Sequence, residues 1–160
     1  MAYNLNIDRF GNEQQNGVVG HAVYAHSPNV ASIPNNTQTN VTAYGTTVVN
    51  TVGGSWNATT GVFTCTRAGN YQVYGHLEWF SGSWVIGNSF TTQLLKNGAV
   101  FAASRDIIQA AHTSVHQSLP TSGIVTLAVG DTVRMSSIQV TGATRALTAS
   151  VFTSFHIHEI

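Results

Sequence analysis

Charge is scarce in this chain. Lys and Arg number six, Asp and Glu six, and charged residues make up 8% of 160, so the formal net charge is zero with histidine neutral. Typical soluble proteins carry about 25%. A nucleic-acid binder neutralises phosphates with a patch of Lys and Arg, whereas the cations here are scattered from Arg9 to Arg145. Nucleic acid is therefore not an expected partner. Cysteine is confined to Cys65, which leaves no intrachain disulfide, and its place in an alternating stretch marks it as a small buried hydrophobe. No apolar run is long enough to cross a membrane or to serve as the core of a secretory signal, so the expectation is a protein made in a cytoplasm with no membrane partner. The Asn-x-Thr acceptors at Asn35, Asn40 and Asn57 then have no route to a glycan. A surface short of charge must be built from Thr, Ser, Asn and Gln. Near-zero net charge gives little colloidal repulsion, which points to life inside an assembly rather than free in concentrated solution.

What the chain does have is a succession of short strands and polar turns. Its length fits one domain, able to bury roughly two thirds of its unfolded surface. Residues 21–25 read as a first strand, 41–52 as a strand bent or bulged at Gly45, and 61–79 as two strands joined by a tight turn at Ala68-Gly69-Asn70, where glycine can take a positive φ. In that pair Phe63 and Cys65 share one face, as do Tyr71, Val73, Leu77 and Trp79. Asn97-Gly98 between residues 91–96 and 99–104 is the strongest short hairpin signal in the sequence. Residues 105–113 are too short to anchor a helix and read as a loop or strand extension. Strands over 114–119, 123–127, 132–140 and 149–159 complete the pattern. Many short strands with no long amphipathic helix indicate an all-β sandwich.

Four motifs, in order, resemble the C1q/tumour-necrosis-factor superfamily. Trp56-Asn57-Ala58-Thr59-Thr60-Gly61 leads into Gly61-Val62-Phe63-Thr64-Cys65 and then Gly69-Asn70-Tyr71-Gln72-Val73 ending near His76, with Val73 where the family usually has Phe. Leu94-Leu95-Lys96-Asn97-Gly98, Leu127-x-x-Gly130-Asp131-x-Val133 and Ser150-Val151-Phe152-Thr153-Ser154-Phe155 follow. The resemblance covers about residues 21–160 and leaves residues 1–20 as an N-terminal arm. It implies a ten-strand antiparallel jelly roll that assembles as a homotrimer. Animal C1q proteins add a signal peptide, a collagen stalk and usually further cysteines, none of which is present here. A stand-alone trimeric head on a short apolar arm is more similar to the C1q-like components of bacteriophage particles. The implied function is a structural virion protein, a capsid decoration or cement protein on the capsid surface, made in the host cytoplasm and partnered by the phage major capsid protein. The alternative is a receptor-binding tip, attached to a fibre or baseplate protein and reading a glycan or protein receptor on the host surface.

The candidate site residues follow from these readings. Tyr3, Leu5, Ile7 and Phe10 put apolar groups into the arm, which is expected to dock on a neighbouring protein. Tyr71, Trp79, Phe152 and Phe155 belong to an aromatic set larger than one small sandwich needs, so some should lie in the core and some between subunits. An exposed Trp84 or Tyr74 could hold a carbohydrate, or equally sit in an interface. His156-x-His158 on a strand places both imidazoles on one face, and a three-fold axis would gather three such pairs around a possible metal ion; exposed or hydrogen-bonded side chains on a terminal strand are the other reading. A cupin centre is rejected, since the Glu and Gly it needs beyond His-x-His do not follow. No catalytic residue, enzyme activity or other cofactor is expected: the six carboxylates show no pairing, and neither a nucleophile elbow nor a phosphate loop occurs.

Overall fold

The structure is a computed structural model that describes residues 6–7, 13–14, 22–28, 32–50 and 56–160. All regular elements among them are strands: β1 (Asn6–Ile7), β2 (Glu13–Gln14), β3 (Ala22–Pro28), β4 (Thr39–Asn40), β5 (Tyr44–Asn50), β6 (Trp56–Asn57), β7 (Val62–Thr64), β8 (Gly69–Trp84), β9 (Ser89–Lys96), β10 (Ala99–Ile107), β11 (His112–Leu127), β12 (Thr132–Val140) and β13 (Ser154–Glu159). β1 and β2 form a two-stranded ribbon of their own, with Ile7 opposite Glu13. This ribbon falls within the expected arm, but Tyr3, Leu5 and Phe10 lie outside the described residues and Ile7 is described only in its backbone pairing.

The remaining strands make two antiparallel sheets. One has five strands in the order β11-β8-β13-β3-β5, and the other has six, β10-β9-β12-β7-β6 with β4 also on β12. The inner faces enclose a single core. Tyr71, Val73, Leu77, Trp79, Phe155 and Ile157 come from the first sheet, while Phe63, Phe90, Leu94, Val133 and Met135 come from the second. Period-two alternation produces this division, since each strand sends every other side chain between the sheets. Among the described residues the sandwich has eleven strands, of which β4 and β6 in the second sheet are only two residues long.

Four local expectations are corrected. β7 and β8 are not a hairpin: β7 pairs with β12 and β6 in one sheet while β8 pairs with β11 and β13 in the other. Residues 65–68 instead carry the chain across the sandwich edge. There the Cys65 amide donates to the Asp131 carbonyl and its own carbonyl accepts from Gly130, so the crossing backbone is satisfied by the β11–β12 turn. Gly69 belongs to β8, where it pairs with Leu127. Residues 39–50 form two strands, with Ala43 at a positive φ of 55° between them. β11 is one continuous strand through Pro120, tolerable because β11 is the sheet edge and the missing N–H interrupts no ladder on its outer side. The last strand begins at Ser154, since the Thr153 amide donates to the Ser150 carbonyl and closes a turn just before it.

The turns read from glycine and asparagine are present. Asn97 and Gly98 both have positive φ, 50° and 85°, the signature of the two-residue turn that matches the twist of paired strands. The Asn97 side chain donates to Asp131 and accepts from the Thr132 amide, tying the β9–β10 turn to the β11–β12 turn.

Candidate functional site

Because Tyr71, Val73, Leu77 and Trp79 turn inward, β8 presents Gln72, Tyr74, His76, Glu78 and Phe80 on the outer face of the five-stranded sheet. β13 obeys the same rule, burying Phe155 and Ile157 and turning His156 and His158 outward. Register then brings three elements into line. His156 stands opposite Tyr74 of β8 on one side and Tyr24 of β3 on the other. Its ring stacks on Tyr24 with centroids 4.1 Å apart and meets Tyr74 edge-on at 5.4 Å. His26 lies 5.5 Å from Tyr24, and His76 lies 6.4 Å from Tyr74 while hydrogen-bonding the Ser118 hydroxyl.

Two of these histidines are biased toward the neutral form. Burial pushes the His156 pKa below its ordinary value, and His158, His26 and His76 push it further in the same direction. Burial also lowers His76, partly opposed by the carboxylate of Glu78. Around His156 this face is built of aromatic rings that another protein can cover, while each ring keeps a polar atom for a specific contact. Further out, Tyr74 is 36% exposed, Ile124 67% and Phe80 59%.

The predicted aromatics divide between inside and outside. Tyr71, Trp79 and Phe155 are buried within one chain, and Phe155 stacks on Trp56 at 5.2 Å and 8°. The Tyr71 hydroxyl donates to the Arg67 carbonyl, and burial pushes its pKa up. Phe152, by contrast, is 57% exposed and stands with Phe80 and His116 around a cleft. Trp84 is not open to a carbohydrate: it is buried, its indole N–H donates to the Val115 carbonyl, and the Arg145 guanidinium lies over its ring at 4.8 Å. The His156 and His158 pair gathers no third ligand among the described residues, so a metal there would need imidazoles from other copies of the chain. Cys65 is buried, with its thiol directed at the Arg67 carbonyl. What sequence reading missed is the line Tyr24–His156–Tyr74, whose members are far apart in the chain. Alternation along 72–80 was its legible part; the pairing of β13 between β3 and β8 was not.

Two antiparallel sheets packed face to face around one core define the class as an all-β jelly-roll sandwich. The chain belongs to the C1q domain family, whose model matches residues 24–157. Among solved structures it is similar to murine APRIL at pH 5.0, with 15% identity, TM-score 0.64 and coverage of 89% of this chain and 100% of that one. It is likewise similar to the Eiger TNF of S. frugiperda, at 13% identity and TM-score 0.64 over 88% of this chain and 92% of that one. The globular domain of zebrafish complement 1qA follows at 17% identity and TM-score 0.57, covering 88% and 94%. At these identities the likeness is one of fold. No curated protein matches the sequence.

Proposed function

We propose that this chain is a non-catalytic C1q-type head that associates with two further copies through the outer face of its five-stranded sheet and serves as a structural protein of a bacteriophage capsid. The observation that carries the association is the line of Tyr24, His156 and Tyr74, an uncharged aromatic surface open on one chain. Trimeric assembly is also what the family resemblance implies. The capsid reading rests on the sequence: a surface almost without charge, and an arm bearing Tyr3, Leu5, Ile7 and Phe10 ahead of the domain. In this reading the arm holds the trimer to the major capsid protein, and the sandwich adds a layer that stiffens the shell.

The test is the copy number of the chain relative to the major shell protein in purified particles. A ratio approaching parity is expected. A few trimers per particle would move the protein to a fibre or baseplate as a receptor-binding tip, and absence from particles would end the virion reading. A chain lacking residues 1–20 should keep its fold and its assembly while losing attachment to particles, as read by co-sedimentation with stripped shells.

A further inference from the structure

The end of β8 forms a cleft on the same outer face, two and three outward positions beyond Tyr74 along the strand. Its floor is Glu78, and its walls are Phe80 from β8, His116 from β11, and Thr148, Ser150 and Phe152 from the segment that precedes β13. That segment is fastened to β8 by its backbone: the Phe80 amide donates to Ala146, the Thr148 amide to Glu78, and Trp79 bridges Leu147. The cleft has a volume of about 720 Å³ and opens to solvent.

Glu78 is unusual among the acids of this chain. Its side chain is 16% exposed, yet no Lys or Arg lines the cleft. Thr148 Oγ1 donates to its Oε2 at 2.8 Å, with Ser150 Oγ at 3.4 Å and His116 Nδ1 at 3.7 Å from the same oxygen. The other oxygen, Oε1, has no partner among the described residues. Two hydroxyls thus orient a carboxylate, two exposed phenyl rings flank it, and its second oxygen faces no protein donor among the described residues. A carboxylate beside aromatic faces is complementary to an organic cation on an apolar stem, since Coulomb attraction, cation–π contact and burial of the stem act on one group. A planar guanidinium fits best, because it can stack on a ring while donating in the plane to the carboxylate.

We infer that this cleft is a docking site for an arginine side chain presented by a partner protein, held by Glu78 between Phe80 and Phe152. Charge complementarity selects this occupant: the cleft offers an anion and apolar rings, and neutral or acidic side chains would leave Glu78 unmatched. The open shape admits a side chain from a docked segment.

The test titrates Nα-acetyl-arginine N-methylamide into isotopically labelled full-length protein and follows amide chemical shifts, with the citrulline analogue as the neutral isostere and solution mass recorded on the same samples. Saturable shifts are expected at Thr148, Ser150, Phe152 and His116, with millimolar affinity for the arginine probe and at least tenfold weaker response to citrulline. E78Q, which keeps shape and removes charge, should weaken the arginine probe at least tenfold without lowering the midpoint of thermal unfolding, and F152A, at an exposed ring, should weaken it several-fold. Absence of saturable shifts, equal response to citrulline, or undiminished binding by E78Q overturns the inference. A monomeric mass with arginine-selective binding would leave this site standing and defeat the assembly reading instead.

Discussion

Phe155 shows how much of the molecule rests on single side chains. It is fully buried and stacked on Trp56 of the opposite sheet, which itself meets Tyr44 of β5 edge-on at 5.2 Å, so the three rings tie the two sheets together. Phe155→Ala should cost about 3–5 kcal/mol in denaturant unfolding, combining lost burial with a cavity that neighbouring rings cannot fill. Gly61 is constrained by backbone rather than packing. Its φ is +63°, and a Cβ there would stand 2.2 Å from the Val41 carbonyl oxygen, a backbone atom that cannot move aside. Gly61→Ala should therefore destabilise by about 2 kcal/mol or more, well beyond the usual effect of a glycine replacement. The histidines set the pH response. Folding lowers the pKa of His76 and His156 from the ordinary 6.5, so the unfolded chain binds more protons in the window below that value. Their stabilising effect is fully present above about pH 6.5 and is lost as pH falls through the folded values. Unfolding free energy should drop between pH 7.5 and 5.5, and His156→Gln should flatten that drop; an equal slope in the variant would contradict the assignment.

At the scale of elements, the turns are the best-determined part of the fold. The Asn97-Gly98 turn and the Gly130-Asp131 turn support each other: Asn97 and the Ala128 amide donate to the Asp131 carboxylate, Lys96 lies 2.9 Å from it, and its pKa falls to about 2. In an Asn97→Ala variant the Asp131 pKa should rise toward the ordinary carboxylate range, as followed by NMR titration, since the first of these contacts is gone. Both turns were legible because glycine and asparagine at a positive φ leave a mark that needs no knowledge of distant residues. The relation of β7 to β8 was not legible. Adjacent strands with a short polar connection read equally as a hairpin or as a crossover between sheets, and the choice is made by β12 and β13, which compete for their edges from far along the sequence. The same limit applies to the outer face. Alternation assigned Tyr71 and Trp79 correctly to one side of β8, but only sheet order brings Tyr24 and Tyr74 to either side of His156. Trp84 shows the reverse case, a residue that read as an exposed loop ring and is buried because the end of β8 turns it under Val115.

For the whole molecule, low charge and exposed rings describe one property. A single chain leaves Tyr74 and Ile124 open to water on a surface short of charge. Burial of the outer face between copies would resolve that exposure, and it would place the histidines where protonation opposes assembly as well as folding. The measurement that tests this most directly is the solution mass by light scattering of the full chain and of a Tyr74→Arg variant at neutral pH. The account predicts three times the chain mass of 17.0 kDa for the wild type, and a folded single chain for the variant, whose guanidinium cannot be buried against neutral imidazoles. A single-chain mass for the wild type, or an unchanged trimer in the variant, would contradict it.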